Sequence, residues 1–307
     1  MSTLVIIDVP SNLGLRPSGV EQLPEALRRA GLPRRLGARV VRRLEPAAAY
    51  HAIRDPETTL LNGPGLREAA NALADAVADV VGRGEIPVVL AGDCSVVLGG
   101  LLGLRRAARH QGRGSRPGLL FVDGHVDFYQ PAASPTGEVA DMDLALATGR
   151  GPDLLAKLDP AGPLVRDEDV VAVGARDAEE RDAAGSQDVR ATGIHLFELE
   201  RVRRDGMAVV AGEALAVVAG PELDAGFWLH LDADVLDDAV MPAVDYRQPG
   251  GLAPAELVML LRAASRSGRM AGLSVSIYNP VLDPGGAGAA VLVECLGAGL
   301  SSPEQGA

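Results

Sequence analysis

Short, almost wholly apolar runs recur along this 307-residue chain, separated by stretches of helical periodicity, and that alternation limits the fold more than any other feature. The runs at 4–9, 87–91, 118–122, 170–174, 227–231 and 270–277 are apolar at nearly every position rather than at every second one. A strand can be apolar on both sides only when both faces of its sheet are covered, which is the condition of a parallel sheet flanked by helices. Helix-period stretches at 23–30, 66–81, 96–108, 179–189, 254–265 and 289–296 lie between or after the runs. Pro24 falls in the first turn of its helix, where a missing N–H costs little. Strand and helix alternating in this way predict an α/β fold with a mostly parallel central sheet. Residues 47–49, 112–118 and 284–288 read as loops. With no internal repeat and no long linker, residues 1–307 are expected to form one domain, large enough at 47% hydrophobic residues to bury a substantial core.

The formal net charge of −12 argues against a nucleic-acid partner or an anionic membrane surface, both of which need basic patches. The local basic pairs, Arg34-Arg35, Arg42-Arg43 and Arg105-Arg106, read as solvated surface. No apolar run approaches the roughly 20 residues of a membrane span. Residues 1–10 read as a strand rather than as a targeting segment, having no charged region before the apolar run. Two cysteines give no disulfide framework, so a reducing cytoplasm is the expected location. Cys295, in an apolar helix, reads as core. An aromatic content of 3% offers no stacking platform for bases or sugars.

Two of the apolar runs turn abruptly acidic. The first continues as Asp123-Gly124-His125-Val126-Asp127, the second as Asp232-Ala233-Asp234. Period-two alternation places Asp123, His125 and Asp127 on one side of the chain, and likewise Asp232 and Asp234. Carboxylates converging at strand ends repel one another unless a cation sits among them. A divalent metal site for two ions resolves the conflict. The plainer reading is that the acids cap the helices that follow. Ligands of open α/β sheets bind at the carboxyl ends of strands, where both segments fall.

The same residues, with others spread from 19 to 280, resemble the ureohydrolases, the family of arginase, agmatinase and formiminoglutamase. Gly19-Val20-Glu21 with Pro24, Leu27-Arg28 and Gly31-Leu32 looks like the family's N-terminal stretch. The strand ending in Ala91-Gly92-Asp93-Cys94-Ser95 is similar to its Gly-Gly-Asp-His-Ser turn. Val173-Gly174-Ala175-Arg176-Asp177, Gly272-Leu273 and Asn279-Pro280 resemble later elements, and Gly250-Gly251 looks like the loop after the second acidic segment. The resemblance implies a three-layer α/β/α fold and a pair of divalent ions, usually manganese. It implies a metal-bridging hydroxide that attacks the carbon of a linear amidine, guanidine-like or amide C–N bond other than a peptide bond. Asp123 and Asp232 match bridging carboxylates, Asp127 a ligand of one ion, and His125 and Asp234 ligands of the other. Family members are commonly trimers or hexamers, so a homo-oligomer acting on a small-molecule substrate is expected.

Three positions depart from the family. Cys94 stands where most members have a histidine ligand. It either fills the turn or ligates as a thiolate, shifting preference toward zinc, iron or cobalt. A branch similar to N-hydroxyarginine hydrolase also carries Cys here beside Asp-Gly-His. Ala140 stands where the family commonly has a proton-shuttling histidine. Glu138, Asp141 and His230 are the candidate catalytic replacements, and His230 could equally join the metal shell or be packed core. Ile277 replaces the glutamate that pairs with a substrate guanidinium, which speaks for a less basic group. Glu179 and Asp182 occupy the region that binds a substrate amino group in arginases. An alternative of another class is a scaffold that has lost turnover and survives as a binding or regulatory protein.

Overall fold

The computed structural model describes residues 2–46 and 48–300; Met1 and Ala47, the latter within the expected 47–49 loop, lie outside the described residues. The chain opens with β1 (Leu4–Val9), α1 (Leu23–Arg29), α2 (Leu32–Leu36), β2 (Arg39–Arg43), α3 (Gly63–Gly82), β3 (Ile86–Ala91) and α4 (Val96–His110). It continues through β4 (Gly118–Val122), α5 (Asp143–Ala147), α6 (Asp153–Ala156), β5 (Val170–Val173), α7 (Ala178–Ala184) and β6 (His195–Phe197). The last elements are α8 (Leu199–Asp205), α9 (Met207–Val218), β7 (Phe227–Asp232), α10 (Pro254–Arg266), β8 (Met270–Ser276) and α11 (Ala287–Leu300).

Among the described residues eight strands form one sheet in the order β2-β1-β3-β8-β7-β4-β5-β6, and every pairing between them is parallel. Successive residues of each inner strand feed opposite cores. Ile6, Val88, Leu229 and Val275 join α1, α2, α9, α10 and α11 on one face; Ile7, Val89, Phe121 and Trp228 join α3, α4, α5 and α6 on the other. This is the three-layer α/β/α arrangement, and it is why the inner strands are apolar throughout. The order also creates a switch point. From β3 the chain crosses to β4, and β7 and β8 later fill the gap between them. The carboxyl ends of β3, β8, β7 and β4 therefore border one crevice, where such sheets bind ligands.

The six strands expected from apolar runs all form. β2 and β6 were not anticipated. Both are edge strands: β2 reads Arg-Val-Val-Arg-Arg and β6 spans three residues, so neither has a two-sided core to announce it. Arg42 and Arg43 thus lie in a strand rather than on a helix or loop. The expected helix at 179–189 stops at Ala184, where Gly185 takes φ 72, and a separate 3₁₀ turn covers Val189–Ala191. Arg42 and Arg43 are exposed as expected, but Arg105 is not solvated surface. It is 8% exposed, with its Nε 2.9 Å from Asp159 Oδ2.

Candidate metal centre and active-site cavity

β3 ends at Ala91, and the next four residues turn the chain into α4. A Cβ on Gly92 would stand 1.9 Å from the Ser11 carbonyl oxygen, so glycine alone permits this close approach. Asp93 is committed to the turn: its carboxylate accepts from Gly14 N at 3.1 Å and Ser95 N at 3.0 Å. Cys94 is 1% exposed. Its Sγ lies 2.9 Å from Asp232 Oδ2 and 3.1 Å from Ser276 Oγ.

The residues after β4 and β7 converge, though not by strand alternation. β4 stops at Val122, and Asp123 Oδ1 accepts from His125 N at 2.7 Å, closing a local turn. Asp127 has φ 48, a left-handed conformation that aspartate tolerates better than most residues. Asp232 ends β7, and its Oδ1 accepts from Asp234 N at 2.6 Å, opening a 3₁₀ turn over Ala233–Val235. The two turns lock together. Asp234 Oδ1 accepts from Gly124 N at 3.0 Å, and Asp234 Oδ2 lies 2.9 Å from His125 Nδ1.

The electrostatics are lopsided. Asp123, Asp127, Asp232 and Asp234 are all nearly fully buried. Burial, followed by the charges of the neighbouring carboxylates, pushes Asp127 and Asp232 well above the usual carboxylate range, and Asp123 is raised by burial and Asp234. Burial would also raise Asp234, but the His125 imidazole holds it below. Burial alone would lower His125, yet Asp234 and Asp123 raise it well above its ordinary value. Burial and Asp232 push the Cys94 thiol far up, so among these anions alone it stays a neutral donor to Asp232. A divalent cation inverts that logic, because a coordinated thiol is deprotonated.

Ligand atoms of Asp123, His125 and Asp234 lie within 4.8 Å of one another, as do those of Cys94, Asp123 and His230, and those of Cys94, Asp127 and Asp143. Asp123 Oδ2 and both carboxylate oxygens of Asp143 are buried without a hydrogen-bond partner among the described residues. Buried, unpartnered carboxylate oxygens beside a thiol and an imidazole are a donor set that fits divalent cations. Asp143 escaped sequence reasoning. It stands two residues past Asp141 on the one-turn helix α5, and only tertiary packing brings it against Cys94 and Asp127.

The cluster opens on a cavity of about 140 Å³. Cys94, His125, Asp127, Asp232 and Asp234 line it, together with Glu138, Ala140, Asp141, Tyr129, Glu180, Tyr246 and Ile277. Of the three candidate proton carriers, Glu138 is fixed by Tyr246 Oη, which donates to its Oε2 at 2.6 Å, and by Arg16 N at 2.9 Å to Oε1. Asp141 Oδ2 accepts from the hydroxyls of Ser134 and Thr136, each at 2.8 Å, while the buried Oδ1 has no partner among the described residues. Burial, only partly opposed by those hydroxyls, pushes Asp141 up to about 6. His230 is fully buried and does not line the cavity; burial pulls it down to about 3, which unsuits it to carrying protons to a substrate. Glu179 and Asp182 are both exposed and outside the cavity wall, and Asp182 faces Arg190 at 3.2 Å. Glu180, between them, reaches the wall instead. Ile277 forms part of the wall with φ 71, a strained conformation for a β-branched residue.

A sheet with this strand order, carrying an acid-rich centre at its switch point, places the chain among α/β proteins that bind ligands at strand ends. Comparison with known proteins is narrower. The arginase-family profile matches residues 2–298. The arginase of Bacillus caldovelox is 31% identical over 303 residues, covering 97% of each chain. Its solved structure superposes with a TM-score of 0.86 at 30% identity, over 99% of this chain and 100% of that one. The arginase structure from Bacillus cereus gives 0.83 at 28% identity, over 99% and 100%. The chain belongs to the arginase family.

Proposed function

We propose that the protein is a metal-dependent hydrolase of a linear, non-peptide C–N bond in an amidine-type substrate whose head group is less basic than a free guanidinium. The observation that carries this reading is the cavity itself: the Cys94, His125, Asp127, Asp232 and Asp234 side chains line a pocket whose wall presents Ile277. A buried guanidinium needs a charged partner. At position 277 it would meet an isoleucine side chain, whereas a hydroxyguanidine, formimino or amide group makes no such demand.

Cys94, Asp123, His125, Asp127, Asp232 and Asp234 would hold two divalent ions, with manganese the family's usual metal and the Cys94 sulfur favouring zinc, iron or cobalt. When bound, such a pair lowers the pKa of water toward neutrality and supplies charge against a developing anion. The chain's own residues supply the rest. Asp141, poised near 6 with Oδ1 free, takes a proton at that atom and returns it to the leaving amine. Glu138, held by Tyr246 and the Arg16 amide, orients a polar substrate atom. Tyr129 and Glu180 flank the same cavity. The rival reading of a binding scaffold fits less well, since buried carboxylates without cations destabilise a fold that keeps them.

The test is a substrate screen on protein loaded in turn with manganese, cobalt and zinc, following release of ammonia, urea or the corresponding amide. Turnover of hydroxyguanidine, formimino or amide compounds above arginine and agmatine is expected; arginine as the best substrate would refute the head-group argument. A trimer or hexamer is proposed for the assembly, to be read by light scattering.

A further inference from the structure

His230 is a buried group that the proposed reaction leaves without a task. Its ring is stacked on Phe121, centroids 4.9 Å apart at 27°, and its Nδ1 lies 2.8 Å from Ser274 Oγ. The residue is 0% exposed, and Nε2 has no hydrogen-bond partner among the described residues. A core histidine kept for packing normally has both nitrogens satisfied, because a buried polar atom without a partner is costly. A ring nitrogen of His230, Cys94 Sγ and a carboxylate oxygen of Asp123 lie within 4.8 Å of one another, and Asp123 Oδ2 is itself buried without a partner. Two residues that each carry an orphaned atom, one an imidazole and one a carboxylate, therefore stand beside the thiol that occupies the turn after β3.

The surroundings fix the ring. Trp228 Nε1–H donates to Ser274 Oγ at 3.0 Å, and that hydroxyl oxygen has a second lone pair that accepts from His230 in the tautomer carrying its proton on Nδ1. This tautomer leaves the Nε2 lone pair free, which is how second-shell partners orient ligating histidines. Trp228 in turn is wedged against α4 and β8: a Cβ on Gly100 would come within 2.4 Å of its ring, and one on Gly272 within 2.3 Å. β7 thus carries a rigid column of Trp228, His230 and Asp232 on one sheet face, ending at the metal-ligand candidates.

We propose that His230, through Nε2, is a ligand of the ion on the Cys94 side, so that the imidazole absent from the β3 turn is supplied by β7 two residues before Asp232. The inference rests on the metal-hydrolase reading above. The resulting shell keeps an imidazole and adds a thiolate, and this donor set favours cobalt and zinc over manganese.

The experiment uses cobalt-loaded, full-length protein, with metal counted by elemental analysis. The native chain is expected to hold about two ions. His230→Gln is expected to lose one of them while the other stays, and His230→Gln combined with Cys94→His is expected to regain it, since the second change restores an imidazole at the turn. A His230→Gln protein that retains both ions with unchanged affinity overturns the inference and leaves the metal-hydrolase reading standing. A native chain that holds no ion under any loading overturns both. Should His230→Gln fail to fold, proton NMR of the native cobalt protein decides. Two paramagnetically shifted, exchangeable imidazole N–H signals are expected, one each from His125 and His230, and a single signal overturns the inference.

Discussion

Replacing Asp141 by Asn should make the protein slower and, at alkaline pH, more stable. Asn keeps an oxygen for the Ser134 and Thr136 hydroxyls, so the local turn survives, but it can no longer take a proton. Loss of a proton carrier lowers kcat by roughly 10²–10⁴-fold, about 3 to 5 kcal/mol of barrier. Stability moves the other way. Burial raises the Asp141 carboxyl from 3.8 to about 6, so the folded state binds a proton more tightly than the unfolded chain does. The native protein therefore loses stability as pH rises from about 4 through about 6, and the full cost, at most about 3 kcal/mol, is present above that. Asn does not ionise. The variant should match the native protein in Tm near pH 4 and exceed it by a few degrees at pH 8. Paired assays check this: thermal unfolding at the two pH values, and kcat against pH, where the native profile should rise through about 6 and the variant's should lack that limb. An unchanged kcat, or a slowed variant that keeps the limb, would refute the assignment of the proton to Asp141.

Asp232→Asn removes a carboxylate shared between Cys94 and the Asp234 turn, and should abolish both metal binding and activity; metal at full occupancy by elemental analysis would count heavily against the site. Chelation of the loaded protein should lower Tm, since a ligand at about 100 times its Kd contributes roughly 2.7 kcal/mol; differential scanning calorimetry with and without chelator reads the change. Gly100→Ala would drive a methyl to within 2.4 Å of Trp228 and should destabilise by about 1–3 kcal/mol, seen as a lower denaturant midpoint.

The identities of the metal-ligand candidates were legible because type and spacing carried them. Asp123, His125, Asp127, Asp232 and Asp234 each follow a run of buried-strand composition, and strands of a doubly covered sheet announce themselves through unbroken apolarity. The reason for their convergence was not legible. Period-two alternation would have served only if the strands continued, whereas β4 ends one residue before Asp123 and two side-chain-closed turns make the geometry. Edge strands β2 and β6 were hidden for the opposite reason: both are short, lie at the two edges of the sheet and lack an unbroken apolar run.

The partners of each side chain were decided by tertiary structure alone. Sequence could place Glu138, Asp141 and His230 on one shortlist, as titratable replacements for the histidine that the family resemblance puts at position 140. Packing separated them: Tyr246 holds Glu138, Asp141 on the cavity wall keeps one buried oxygen without a partner among the described residues, and His230, against Phe121 and Ser274, lies outside the wall. The same holds for Glu180 rather than Glu179 or Asp182, and for Asp143, drawn to Cys94 by the path of the chain between β4 and α5. Which residues are acidic, and which runs must be buried, is written locally and survives as pattern. Which acid meets which thiol, and which is left without a partner, depends on contacts between residues far apart in the chain, such as the 138 residues separating Cys94 from Asp232. No local pattern encodes such a distance; the closing of the eight strands into one sheet sets it.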